Sequence, residues 1–225
     1  MDIVGIGRGL IADPEWVKKV EHDETDILRK CISCNVGCAG NRIGINRPIR
    51  CTVNPAVPEG DIYKRLRVNK NCNVVVIGGG TAGLEAACTA AEVGCNVFLF
   101  EKSDKLGGLS EFISDLPGKT RMKDFPRYLR TRAERLPNLY TFLNTEASIE
   151  EINKFHPDIV VNATGSHPVV PPIPGLRENR TAGNLDDIFI MINNVNAGKY
   201  PEEFCRGKKV LVMGGGAVGL DIIEY

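Results

Sequence analysis

The chain has 225 residues, enough for one or two domains with a sizeable core, and at 43% hydrophobic and 25% charged it sits near the averages of globular proteins. Lys plus Arg equals Asp plus Glu, 28 of each, so the net charge is zero, which weighs against nucleic acid or a membrane as the main partner. No apolar run approaches the roughly 20 residues of a membrane helix, the start shows no signal-peptide pattern, and eight cysteines in such a chain point to thiols or metal ligands in the cytoplasm rather than to disulfides.

Taken in order, Asp2 to Gly5 reads as a short strand, Gly7-Arg8-Gly9 as a loop, and Asp13-Pro14-Glu15 as a helix start with an acid cap and Pro at the first helical position. A lone strand and helix cannot bury their apolar faces, so this piece is expected to need a partner sheet. Residues 31–60 are rich in Cys, Gly, Asn, Arg and Pro without periodicity, and read as a loop that something other than a core must order. Residues 61–72 read as a polar, basic link. Val74 to Ile77 is a continuous β-branched run, the pattern of a strand buried on both faces of a parallel sheet.

A helix is predicted over 82–93, a strand over 96–100, and an amphipathic helix over 120–135 interrupted or kinked at Pro126. Further strands are predicted at Leu139–Leu143 and Asp158–Asn162. Pro168, Pro171, Pro172 and Pro174 exclude regular structure, and their segment reads as a crossing between subdomains. A short helix is expected at Asp186–Val195, then a buried strand at Lys209–Met213 and the start of another helix.

The strand–glycine turn–helix unit thus occurs twice. In the first, Gly78-x-Gly80-x-x-Gly83 follows a strand and opens a helix. Gly78 permits the tight turn, Gly80 lets the backbone approach a pyrophosphate, and Gly83 lets helix pack on strand; the helix N-terminus then faces the phosphates. Glu101 ends the second strand 18 residues after Gly83, where an acid accepts hydrogen bonds from ribose hydroxyls and favours an unphosphorylated adenosine ribose. The second unit, Gly214-x-Gly216-x-x-Gly219, has the strand and the helix start.

Cys31, Cys34, Cys38 and Cys51 have the spacing C-x2-C-x3-C-x12-C. Four thiolates in Gly-rich backbone suit a [4Fe-4S] cluster, whose sulfurs accept backbone N–H bonds. Structural zinc is the main rival, and unligated or redox-active thiols are a third reading. Cys72, Cys88, Cys95 and Cys205 show no such grouping. His22, His156 and His167 are isolated and read as surface or loop residues, and no residue reads as a catalytic acid, base or nucleophile.

The order of these pieces resembles a known family. Val4 to Trp16 is similar to the last strand and phosphate loop of the flavin-binding barrel of old yellow enzyme. Cys31 to Cys38 with Cys51-Thr52-Val53-Asn54-Pro55 resembles the iron–sulfur linker of its long members, the 2,4-dienoyl-CoA reductase, 2-enoate reductase and trimethylamine dehydrogenase group. The glycine turns, Leu106-Gly107-Gly108 and Ala163-Thr164-Gly165 resemble that family's FAD- and NAD(P)H-binding part. The resemblance implies an α/β, Rossmann-like fold preceded by a Cys-rich loop and the tail end of a TIM barrel. Its expected division is 1–30 barrel remnant, 31–70 iron–sulfur segment and linker, 71–180 partial FAD-binding domain, and 181–225 start of an NAD(P)-binding domain.

It also implies a relay from NAD(P)H through FAD and the cluster to FMN, ending in reduction of an activated alkene. Carried over residue by residue, Cys31, Cys34, Cys38 and Cys51 match cluster ligands. Gly78, Gly80, Ala82, Gly83, Glu101, Gly108 and Thr164 match FAD contacts. Gly214, Gly216 and Gly219 match the nicotinamide nucleotide turn, and Arg8 matches an FMN phosphate contact. The expected partners are a nicotinamide nucleotide and a barrel domain or subunit carrying FMN and substrate. Two alternatives stand beside this: a nucleotide- and cluster-binding fragment without activity of its own, and an amine dehydrogenase-type protein with ADP in place of FAD.

Overall fold

Four strands, β1 (Asn73–Ile77), β2 (Asn96–Phe100), β3 (Leu139–Phe142) and β4 (Ile159–Asn162), form one parallel sheet in the order β3-β2-β1-β4. Asn73 lies beside Asn96, Val97 beside Leu139, and Val74 beside Ile159. The computed structural model describes residues 3–57, 67–68, 70–116, 118–181, 185–201 and 203–224. The chain divides into two compact units, Met1–Ser114 with Lys119–Gly165, and Asp115–Gly118 with Ser166–Tyr225.

The first unit holds the sheet and the helices α1 (Arg8–Ala12), α2 (Trp16–Glu21), α3 (Thr81–Glu92), α4 (Gly108–Ile113), α5 (Asp124–Glu134) and α6 (Ile149–Asn153). β1 is central, and its Val74, Val75 and Val76 are buried, as the continuous apolar run requires. One sheet face packs Val74, Val76, Val97 and Leu99 against Leu84, Ala87, Cys88 and Ala91 of α3 and Leu129 and Ala133 of α5. The α3 positions recur at helical spacing, and their small side chains let the helix sit close to the strands. On the opposite face the Phe155 ring lies 4.4 Å from that of Phe98 and 5.4 Å from that of Phe142. Arg132 of α5 joins the two helices through Glu85 at 2.9 Å and Glu92 at 2.6 Å.

Several expectations are corrected. Residues 3–5 form no strand, because no described strand lies beside them to build a ladder; Asp2 lies outside the described residues. Gly7-Arg8-Gly9 is not a loop but the entry to α1, closed by Asp13 N–H donating to the Gly9 carbonyl at 2.8 Å. Pro14 and Glu15 form a turn and α2 begins at Trp16, although the Asp13 carboxylate does cap locally, accepting the Glu15 N–H at 3.1 Å. Within 31–57 the chain is not all loop: Val36–Gly44 is a π-helix, entered through Asn35 at φ +57°. Pro126 does not kink a helix. A 3-10 turn over Thr120–Lys123 leads into α5 at Asp124, so Pro126 falls in the first turn, where its missing N–H has no intrahelical acceptor to lose. The link over 61–72 lies largely outside the described residues.

The second unit contains α7 (Leu176–Thr181), α8 (Ile188–Asn196) and α9 (Ala217–Glu224). Asp187 caps α8, accepting the Phe189 and Ile190 N–H groups at 3.0 Å each. Lys209–Met213, expected as a buried strand, is neither: Leu211 is 82% exposed, and no described strand pairs with the segment. An apolar run becomes a strand only where neighbours complete its hydrogen bonds.

Candidate cofactor site

The first glycine turn sits at the C-terminal edge of the sheet. Gly78 has φ +102°, and a Cβ there would stand 2.4 Å from the Ala163 carbonyl oxygen, so the turn packs directly against the end of β4. That contact places Thr164 beside the turn, where its hydroxyl donates to Asn162 Oδ1 at 2.9 Å. Gly80 stands at the N-cap of α3 without a side-chain cap, which leaves the helix's first N–H groups available to an anion. Gly83 packs on the strand end: a Cβ there would meet the Gly78 oxygen at 1.8 Å. Ala82, between them, is exposed.

Glu101 reaches back over this turn. Its Oε2 accepts the Gly79 N–H at 2.6 Å, and its Oε1 accepts the N–H and hydroxyl of Ser103 at 2.9 and 2.7 Å. Partial burial opposes its charge, but the bonds from Ser103 and Gly79 and the nearby Lys102 outweigh it and hold the carboxyl below the usual glutamate range. The Leu106-Gly107-Gly108 turn lies alongside: the Gly107 N–H donates to the Gly79 carbonyl at 2.9 Å, and a Cβ on Gly108 would meet Gly80 Cα at 2.8 Å. Arg130 of α5 orders this turn through the Leu106 carbonyl at 2.9 Å and Glu111 at 3.0 Å. The sequence reading missed Ser103 and Arg130. The first was signalled by a hydroxyl two residues after the acid; the second had no signal.

A bare helix start, glycines whose Cβ atoms would clash, and an ionised acid at the ribose position fit a dinucleotide. Gly78, Gly80, Gly83, Glu101, Gly108 and Thr164 are brought to one sheet edge.

Cys31, Cys34, Cys38 and Cys51 line one small cavity, together with Arg8 and Arg50. Cys51 is brought to the others by a close crossing: the Arg50 N–H donates to the Gly37 carbonyl at 2.7 Å, and a Cβ on Gly37 would meet the Arg50 oxygen at 2.6 Å. Ser33 and Asn35 adopt φ +59° and +57°, and the Ser33 N–H points to Cys31 Sγ at 3.4 Å. Thr52 lies 3.2 Å from Cys34 Sγ. Among the described residues no three His, Cys, Asp or Glu side chains converge tightly enough to hold a single metal ion. Four cysteines lining one cavity are the donor type that an iron–sulfur cluster takes. Arg8 hydrogen-bonds Asn35 Oδ1 across this cavity.

In the second unit Gly214 has φ +112°, and a Cβ on Gly219 would meet the Gly214 oxygen at 1.9 Å, the same local turn as the first. Gly216 stands just ahead of α9 with open space around it. No described helix is long and apolar enough to cross a membrane.

Comparison with known proteins agrees with this geometry. The model of the FAD dependent oxidoreductase family matches residues 73–112, from β1 through the Leu106-Gly107-Gly108 turn. NADH oxidase of Thermoanaerobacter brockii is 41% identical over all of this chain and 33% of its own length. Bilirubin reductase of Mediterraneibacter gnavus is 38% identical over 99% of this chain and 33% of its own length. The structure of 2-naphthoyl-CoA reductase with 2-naphthoyl-CoA superposes with a TM-score of 0.81 at 29% identity, over 100% of this chain and 32% of that one. The chain thus spans about a third of the length of the relatives it matches. Over essentially its whole length the chain is similar to a segment of these reductases, and its residues 73–112 match the FAD dependent oxidoreductase family.

Proposed function

We propose that this chain is the electron-input part of an NAD(P)H-dependent flavin and iron–sulfur oxidoreductase that reduces an activated C=C bond, of the 2-enoate or 2,4-dienoyl-CoA type. The observation that carries it is the presence, in one compact unit, of a dinucleotide turn with an ionised acid at its ribose position and a cavity lined by four cysteines. Bound there, FAD and a [4Fe-4S] cluster would supply the conversion of an electron pair into single electrons, which a nicotinamide cannot perform.

In this reading Gly78, Gly80, Ala82 and Gly83 admit the pyrophosphate to the α3 N-terminus, and Glu101 accepts from the adenosine ribose. Gly108 and Thr164 border the same nucleotide. Gly214, Gly216 and Gly219 receive the nicotinamide nucleotide. Cys31, Cys34, Cys38 and Cys51 hold the cluster, and Arg8 meets the FMN phosphate of a barrel domain or subunit. No residue described here is assigned a proton transfer to substrate.

The test is an anaerobic absorbance spectrum of the purified chain with iron and extracted nucleotide quantified. About four irons per chain, a visible band that bleaches with dithionite, and FAD are expected. Zinc without flavin overturns the relay. ADP in place of FAD moves the protein to the amine dehydrogenase type.

A further inference from the structure

We propose that Arg29 is a positioning residue that closes the four-cysteine loop at its base and seats it on α5; the proposal rests on the reading of Cys31, Cys34, Cys38 and Cys51 as one ligand set. Arg29 stands two residues before Cys31, and Asn54 three residues after Cys51. The guanidinium spans both ends of the loop and the nucleotide-binding fold at once. Nη1 donates to Asn54 Oδ1 at 2.9 Å, Nη2 donates to the Tyr128 hydroxyl at 2.8 Å, and the group lies 4.9 Å from the centre of the Tyr128 ring.

Each partner is itself fixed. Asn54, 2% exposed, donates through Nδ2 to the Ile11 carbonyl at 3.0 Å, and its Oδ1 also accepts the Ala56 N–H at 3.1 Å. The Arg29 N–H donates to Asp13 Oδ2 at 2.9 Å, and buried Asp13 pairs with Lys19 at 2.7 Å. Tyr128 is buried in the α5 face that packs on α3. A second bridge lies inside the loop, where Arg121 donates to Ser33 Oγ at 2.8 Å between Cys31 and Cys34.

Simple packing does not require this arrangement. Half-burying a guanidinium against neutral partners costs desolvation that an apolar side chain on Tyr128 would avoid. What the planar fork adds is a fixed geometry among three chain segments, which a single-point donor such as Lys cannot reproduce. Single-electron transfer falls steeply with distance, so a ligand loop gains from being held at one separation from the nucleotide fold.

The test uses the full chain, reconstituted anaerobically with ferrous iron and sulfide, as wild type, Arg29→Met, Arg29→Lys and Tyr128→Phe. Iron release to a chelator, the reduction potential and the FAD content are measured. Arg29→Met is expected to release iron about 10-fold faster, the usual scale for losing a group that orients metal ligands, with a shifted potential and unchanged FAD. Arg29→Lys recovers only part of the loss, and Tyr128→Phe, which keeps the ring, lies between Lys and wild type. Wild-type release and potential in both Arg29→Met and Tyr128→Phe overturn the proposal while leaving the cluster reading intact. A wild-type chain that takes up no iron overturns both. If Arg29→Met does not fold, unchanged release in Tyr128→Phe alone overturns it.

Discussion

The two glycine turns are the same piece of local structure in opposite surroundings. Gly78 and Gly214 share a positive φ, and a Cβ on Gly83 or Gly219 would meet the Gly78 or Gly214 oxygen at 1.8 or 1.9 Å. Yet Val74–Ile77 is a buried central strand and Lys209–Met213 is exposed chain. The turn is therefore set by its own glycines and the helix that follows. The strand before it exists only where neighbours complete its ladder, as β2 and β4 do for β1.

The sharpest way to break that contrast is to truncate matched leucines. Leu99→Ala in β2, fully buried, is expected to cost about 2–5 kcal/mol, read as a lowered urea midpoint; Leu211→Ala, on exposed chain, should change stability by less than about 0.5 kcal/mol. Equal losses would mean that 209–213 is a buried strand after all. The glycines come next. Gly83→Ala forces a Cβ onto the Gly78 oxygen, and Gly78 is held by its N–H bond to the Phe100 carbonyl at 2.8 Å, so about 1–3 kcal/mol should be lost. Gly219→Ala meets the same clash with no described sheet to hold Gly214 in place, and should cost less in the same denaturation series.

The smallest effect concerns pH. The Glu101 carboxyl is held below its ordinary range, so its ionisation stabilises the fold above the unfolded-state value of about 4.3, and that stabilisation fades as pH falls through the lower folded-state value. Glu101→Gln should flatten this part of the acid limb in unfolding midpoints taken from about pH 6 to pH 3. An unchanged slope would show that the bonds from Gly79 and Ser103 do not favour the carboxylate.

The sheet was legible because its signals are local. Val74–Ile77, the small-residue stripe of α3 and the glycine spacing each carry their own pattern. The corrections share the opposite property. Whether Pro126 interrupts a helix or opens one depends on where the preceding 3-10 turn ends. A π-helix over Val36–Gly44 has no apolar period to announce it. The cysteine spacing is legible in the sequence, but the Arg29 contacts at the base of that loop join residues 25 and 99 positions apart, and no pattern in the chain marks such pairs.

That last separation has a consequence for biosynthesis. Tyr128 is made 77 to 97 residues after the four cysteines, so at roughly 5–20 residues per second the thiols are synthesised about 4–20 s before α5 exists to receive their loop. During that interval α5 does not yet hold their loop, and the thiols are open to oxidation or to the wrong metal. A reducing environment, or a carrier that delivers iron and sulfide late, has to bridge the gap until the helix arrives.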